Sequence, residues 1–131
     1  MVALHLLLPL ATVIPFAWNL LGAIPLAVGL GINVIADGLF RRVHTTVKPF
    51  EESAMLVTDG PFRISRNPMY LGFALTLAGV AMVLGSLTPF IVLPVFVILI
   101  DRLFIVREEQ MLAQRFGAAY LAYTQRTRRW I

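Results

Sequence analysis

Two short polar clusters carry the side chains of this sequence that are best suited to chemistry. The first is SRNPMY, residues 65–70, and the second is the pair Glu108 and Glu109. A carboxylate accepts hydrogen bonds from an ammonium or a hydroxyl, and an arginine guanidinium binds a carboxylate or a phosphate. The sequence has no cysteine, and His5 and His44 have no partners at ligand spacing. We therefore expect neither a thiolate nucleophile nor a metal site.

Long apolar runs surround these clusters. The chain has 131 residues, of which 59% are hydrophobic and 14% are charged. This composition is typical of a small integral membrane protein. As single helices the uncharged runs 2–36 and 71–100 would be roughly 52 Å and 45 Å long, whereas a bilayer core is about 30 Å thick. Each run must therefore fold back on itself.

Breaks near Pro15 and within GSLTP, residues 85–89, divide the two runs. The predicted fold is all-α, a polytopic membrane protein with about four transmembrane helices in two hairpins and a C-terminal amphipathic interfacial helix. We predict one domain, 1–131, with a cytoplasmic loop over 41–66 and a cytoplasmic tail over 108–131. The predicted spans lie near 2–17, 20–39, 68–85 and 89–107.

The basic residues predict how the chain is oriented in the membrane. All eleven Lys and Arg residues fall in the segments 41–66 and 102–129. With four spans these segments share one side, and the positive-inside rule assigns that side, with both termini, to the cytoplasm. We expect a multi-pass protein of the inner or plasma membrane, in contact with membrane lipids and not with nucleic acid. The oligomeric state is left open.

Structural roles account for part of both clusters. Ser65 or Asn67 can cap the third span, and Pro68 suits the first helical position, where its missing N–H costs nothing. Such a cap needs neither Arg66 nor Tyr70. Ion pairs are the structural alternative for the acidic residues. The candidate pairs are Asp37 with Arg41, Asp101 with Arg102, and the two glutamates with Arg63, Arg66 or Arg107.

The tail and the glycines also predict local structure. The tail carries apolar and aromatic residues at helical spacing, and we expect it to lie along the interface with its tyrosines and Trp130 at headgroup level. The spaced residues are Leu112, Phe116, Ala119, Tyr120 and Tyr123. Gly29, Gly31 and Gly79 predict close helix packing, because no strand precedes them as in a nucleotide-binding loop.

The segment TTVKPFEESAMLVTDGPFRISRNPMYLG, followed after a hydrophobic hairpin by REEQMLAQRFGAAYLAY, closely resembles the isoprenylcysteine carboxyl methyltransferase and phospholipid methyltransferase family of integral membrane enzymes. The resemblance covers about residues 45–128. It consists of an R-[HN]-P-x-Y element, a spanning hairpin, the glutamate pair and F-G-x-x-Y-x-x-Y. The order and spacing of these elements make the resemblance specific.

The resemblance implies that the protein binds S-adenosylmethionine at the cytoplasmic face and methylates a lipid-like or prenylated, hydrophobic acceptor. The residues that it assigns to the cofactor are Ala54, Met55, Leu56, Val57, Phe62, Asn67, Pro68, Met69, Tyr70, Glu108 and Glu109. The candidates for orienting the acceptor are Arg66, Arg102 and Arg107. Many members have His at the position of Asn67, and the prenylcysteine enzymes have an arginine where this chain has Phe104. These differences leave the acceptor open.

Two other functions are alternatives. A small four-span transporter would be expected to carry an acidic residue well inside a span, and neither apolar run contains one. A noncatalytic membrane scaffold would change its localisation when the tail is removed, without loss of any methyl transfer.

Overall fold

The computed structural model describes residues 1–8, 10–42 and 55–131, so Ala54 and His44 lie outside the described residues. The predicted all-α class is confirmed. In chain order the elements are α1 (Val2–Leu7), α2 (Phe16–Asn19), a 3₁₀ turn (Leu20–Gly22), α3 (Ala23–Arg42), a 3₁₀ turn (Gly60–Arg63), α4 (Pro68–Leu84), α5 (Leu87–Ile100), a π-helical turn (Asp101–Ile105), α6 (Val106–Phe116) and α7 (Ala118–Arg126).

Two helical runs are long and apolar enough to cross a membrane. The first, Phe16–Arg42, joins α2 and α3 over 27 residues, and the second, Leu87–Phe116, joins α5 and α6 over 30 residues. The apolar helix α4 is shorter, at 17 residues. By length and composition, the described part of the chain has two clear candidate spans where about four were predicted.

The predicted first span, near 2–17, is not formed. Helix α1 ends at Leu7, and Leu8 has left the helical region at φ −145° and ψ 64°. Proline disfavours the helical conformation of the residue before it, and Pro9 follows Leu8. The chain becomes helical again only at Phe16, directly after Pro15.

Residues 10–15, which we call the N-terminal strap, bind the turn between α4 and α5 instead of forming a helix. Val13 N and Ile14 N donate to Gly85 O at 2.8 and 3.1 Å, and Leu87 N donates to Ala11 O at 2.9 Å. Just before the strap, His5 Nδ1 lies 2.7 Å from Ser86 Oγ. The N-terminal segment thus lies at the turn end of α4. The C-terminal segment lies at the other end of α4, and the side of the membrane that each terminus faces stays a prediction.

Helices α3 and α4 approach each other through glycines. A methyl group added at Gly79 would lie 2.6 Å from Gly22 O and 2.6 Å from Leu26 Cβ. Gly29 has equally close neighbours on α4, whereas a Cβ at Gly31 would meet no atom of the described residues within 4 Å. Close packing is therefore confirmed for Gly29 and Gly79 and is wrong for Gly31.

The tail is helical, but it does not leave the bundle at residue 107. Helix α6 continues to Phe116, and Gly117, with φ +48°, turns the chain into α7. This turn carries Tyr120 and Tyr123 inward, where each is only 4% exposed. Both tyrosines therefore pack inside the protein, and their depth in the membrane stays a prediction.

Candidate active site

The start of α4 meets the end of the second long helical run, and this contact joins the two polar clusters. Tyr70 Oη donates to Glu108 Oε1 at 2.8 Å, across 38 residues of sequence. The ring of Tyr70 also lies near the ring of Phe104, with centroids 6.3 Å apart. The site thus presents a carboxylate beside two aromatic rings. It lies at the end of the helices that carries Arg66 and Arg129, which we call the arginine-rich end.

Glu109 lies in a network of ion pairs. Its carboxylate is 3.3 Å from Arg66 Nη2 and 2.6 Å from Arg129 Nη2. The same guanidinium reaches Asp101 Oδ1 at 3.2 Å. The side chains of Arg66 and Glu109 are each only 16% exposed. The predicted pairing with Arg66 is confirmed for Glu109, while Asp101 pairs with Arg129 and not with Arg102 as predicted.

At the outer edge of the same end, the predicted pair of Asp37 and Arg41 is confirmed at 2.7 Å.

Residues 127–129, which we call the C-terminal clasp, bind the backbone just before α4. Arg66 N donates to Arg128 O at 2.9 Å, and Asn67 Nδ2 donates to Arg129 O at 3.1 Å. The Ser65 hydroxyl also donates to Arg129 O, at 3.2 Å, and accepts from Asn67 N at 3.1 Å. Asn67 is the N-cap residue and Pro68 is the first helical residue, as predicted, but the Asn67 side chain binds the clasp and not the helix.

An aromatic cluster lies against the site from the α7 side. Phe62, Tyr120 and Tyr123 are buried together with Ala36 of α3. Tyr123 Oη donates to Phe62 O at 2.7 Å. Burial raises the pKa of both Tyr120 and Tyr123, and the negative charge of Glu109 further raises that of Tyr120. Both hydroxyls therefore keep their protons at neutral pH and remain donors.

The structure brings most of the predicted site residues to this end of the bundle. Tyr70 and Glu108 bind each other, and Asn67 and Glu109 are held by the C-terminal segment. The predicted apolar residues that pack against or within the aromatic cluster are Leu56, Val57, Phe62 and Met69. The exposed members of the predicted set are Met55, Arg102 and Arg107.

Two residues of this site were not predicted from the sequence. Arg129 and Asp101 hold Glu109 and the clasp in place. In the sequence, Arg129 belongs to a basic run after an amphipathic helix, a pattern that equally fits contact with lipid headgroups. The adjacent carboxylates of Glu108 and Glu109 need cationic partners, and this need was the feature of the sequence that could have pointed to Arg129.

The fold and the site together define an all-helical, membrane-associated protein with a polar site at one end of its helices. The family model described as phospholipid methyltransferase matches residues 18–119. This chain belongs to the phospholipid methyltransferase family. Membership implies methyltransferase activity, and members of the family typically use S-adenosylmethionine.

One relative is an uncharacterized protein of Haemophilus influenzae. It is 35% identical to this chain over 63 residues, which is 48% of this chain and the full length of that protein. No solved structure matches the chain.

Proposed function

We propose that this protein transfers a methyl group from S-adenosylmethionine to a hydrophobic, lipid-like acceptor at the arginine-rich end of its helices. The observation that carries the proposal is the bond between Tyr70 Oη and Glu108 Oε1 at 2.8 Å. It joins the two sequence elements that carry the family resemblance and fixes a carboxylate beside aromatic rings.

The residues at this end fit the chemical groups of S-adenosylmethionine. A carboxylate has four lone-pair sites, and Tyr70 takes one site of Glu108, so Glu108 can still accept from an ammonium or a ribose hydroxyl. Arg66 Nε is buried without a hydrogen-bond partner in the described residues, and it can donate to the carboxylate of the cofactor. The rings of Tyr70 and Phe104 suit adenine or the sulfonium cation.

The bound cofactor supplies an electrophilic methyl group on a positively charged sulfur. The protein therefore needs to align donor and acceptor and to exclude water, without a nucleophile of its own. Tyr70 orients Glu108, and the clasp fixes the start of α4 on which Tyr70 lies. Of the candidates for orienting an acceptor, Arg66 is mostly buried beside Glu109, and Arg102 and Arg107 are exposed.

The surroundings of the site support an acceptor that arrives from the membrane. Phe73, one turn after Tyr70, is 44% exposed, and Leu103 in the π turn is 47% exposed. Helix α4, at 17 residues, lies within the length range for crossing a bilayer. We therefore propose three passes, with the arginine-rich end and the site in the cytoplasm by the positive-inside rule.

Calorimetric titration of the purified protein with S-adenosylmethionine tests the cofactor assignment. We expect the wild type to bind, and Glu108→Gln to weaken binding about tenfold or more, since it removes a charged acceptor. Asp37→Asn is the matched control, because Asp37 is an acidic residue that pairs with Arg41 away from the site. Absence of binding to the wild type, or equal affinity of the Glu108→Gln variant, contradicts the proposal.

The acceptor can be identified separately. Membranes that contain the protein are incubated with methyl-labelled cofactor, and the lipid extract is analysed for labelled species. We expect label in a lipid-soluble compound that is absent from membranes with Glu108→Gln. Label that appears only in water-soluble material would contradict a hydrophobic acceptor.

A further inference from the structure

A polar cleft of about 380 Å³ lies beside the aromatic cluster, on the face where α7 ends. One side of the cleft is formed by the 3₁₀ turn Gly60–Arg63 and the residues before it, and the other side by the C-terminal end of α7. The lining residues are Thr58, Asp59, Arg63, Tyr123, Arg126 and Thr127. Arg63, like Arg66, is a candidate partner for the carboxylate of the cofactor, whereas the other lining residues have no assigned role. The last three lie beyond residues 18–119, which the family model matches.

The charges that line this cleft favour an anion. Arg63 and Arg126 contribute two guanidinium groups, and Asp59 contributes one carboxylate, so the described residues of the lining have a net charge of +1. Asp59 is already bound to Arg63 at 2.9 Å. Within the described residues, Arg126 Nε makes a long bond of 3.4 Å to Ala122 O on its own helix, which leaves most of the donors of this guanidinium available there. Thr58 and Thr127 add hydroxyl donors.

The position of the cleft favours an anion that is carried by a lipid. The cleft lies within a few residues of Pro68, where the apolar helix α4 begins. Ile64, directly after the 3₁₀ turn, is 66% exposed, and Leu121 on α7 is 59% exposed. A cationic cleft among exposed apolar side chains at the end of a membrane helix corresponds to the depth of phosphate headgroups.

We propose that this cleft binds the phosphate group of a membrane lipid through Arg63 and Arg126, at a site separate from the methyl-transfer site. Guanidinium groups form charge-assisted hydrogen bonds with phosphate oxygens, and two guanidiniums facing one cleft select a phosphate over an uncharged headgroup. The site holds a lipid at the α7 end of the protein whether or not methyl transfer occurs.

The test is a calorimetric titration of the full-length protein, in an uncharged detergent, with dihexanoyl phosphatidylglycerol. We expect Arg63→Gln and Arg126→Gln each to weaken binding about tenfold, which corresponds to the loss of one charge-assisted interaction. Arg41→Gln is the matched control. Like Arg63, Arg41 is exposed and pairs with an aspartate four residues before it, but it does not line the cleft.

Three results would overturn the proposal. Equal weakening by Arg41→Gln would show that the lipid responds only to net charge. Equally tight binding of glycerol 3-phosphate would show that the anion is a soluble phosphate and not a lipid. Loss of S-adenosylmethionine binding in Arg126→Gln, with lipid binding unchanged, would assign the cleft to the cofactor.

The proposal can also be tested on the wild-type protein alone, so that the result does not depend on whether a variant folds. Dihexanoyl glycerol, which lacks the phosphate, is expected not to bind, and the affinity for dihexanoyl phosphatidylglycerol is expected to fall as salt is added, because the cleft is open to water. Binding of both lipids with equal affinity would contradict the proposal. Since neither titration involves methyl transfer, failure of this site is distinguishable from failure of the proposed enzyme activity.

Discussion

The hydroxyl of Tyr70 links the two polar clusters of the sequence through one hydrogen bond to Glu108. A tyrosine in this position orients the carboxylate without neutralising it, so the negative charge remains available to a cationic ligand. An arginine at the same place would satisfy the carboxylate more strongly but would compete with a positively charged cofactor. A tyrosine at position 70 therefore favours a cationic ligand for Glu108, in addition to its role in packing.

Tyr70→Phe tests this role. The substitution removes the 2.8 Å bond to Glu108, and we expect S-adenosylmethionine affinity to fall about threefold to tenfold, with a loss of about 1 kcal/mol in the free energy of unfolding. Tyr123→Phe is the control, because it removes a bond of 2.7 Å to Phe62 O and leaves Glu108 untouched. It should lower stability by a similar amount without changing cofactor affinity. Equal effects of both variants on calorimetric binding would contradict an orienting role.

From the sequence, the set of residues that come together was predicted more accurately than the individual partner of each residue. The order of the motif elements brought Tyr70 and Glu108 to one site, and the structure agrees. The partner of Glu109 could not be chosen from the sequence, because several arginines lie at the same membrane end and spacing does not distinguish them. Arg129 reaches Glu109 only because Gly117 turns α7 back onto the bundle.

Among the elements, the C-terminal clasp combines backbone hydrogen bonds with the ion pairs of one side chain, Arg129. Arg129 joins Glu109 and Asp101, while Arg128 contributes its carbonyl and leaves its side chain exposed. Hydrogen bonding to Glu109 raises the pKa of Arg129, so this guanidinium stays charged throughout the usual pH range.

Arg129→Gln should lower the free energy of unfolding by about 1–2 kcal/mol, since it removes charged hydrogen bonds from a partly exposed network. Arg128→Gln should have no measurable effect, because only its backbone takes part in the clasp. Thermal unfolding in detergent, followed by circular dichroism, measures both variants. Equal stability of the two variants would mean that the ion pairs of Arg129 contribute nothing.

The contact between α3 and α4 gives a second prediction at this scale. Gly79→Ala places a methyl group 2.6 Å from Gly22 O, and we expect it to destabilise the protein by about 1–3 kcal/mol through overpacking. Gly31→Ala adds a methyl group that has no neighbour within 4 Å in the described part of the chain, and it should stabilise the helix by up to about 1 kcal/mol. Chemical denaturation of both variants in detergent gives the comparison. A stabilised Gly79→Ala variant would contradict the tight contact.

Helix boundaries were predictable where proline or glycine sets them and were missed elsewhere. Pro68 marked the start of α4 and Gly85 its end. The helix predicted over 2–17 failed because hydrophobicity alone was taken as a sign of a span, although Pro9 lies inside that range. The continuation of α6 to Phe116 was missed because the charged residues after Ile105 were taken as the end of the helix.

For the whole molecule, the structure and the four-span prediction differ in the position of the N-terminus. Cysteine labelling distinguishes them, because the natural chain has no cysteine to interfere. Ala3→Cys and Gln125→Cys place one thiol at each end of the protein, and both positions are exposed. In intact cells, a membrane-impermeant maleimide should label Ala3→Cys and not Gln125→Cys. Protection of both thiols would restore the four-span topology.

The N-terminal strap and the C-terminal clasp also constrain the order of events during synthesis. The strap binds residues 85–87, more than 70 positions after it, and the clasp binds residues 65–67, about 60 positions before it. The strap can therefore bind only after residue 87, about two thirds of the way along the 131 residues, has been made, and the clasp can bind only after residues 127–129 have been made. A chain that stalls before residue 127 would lack the clasp residues that bind the backbone just before α4.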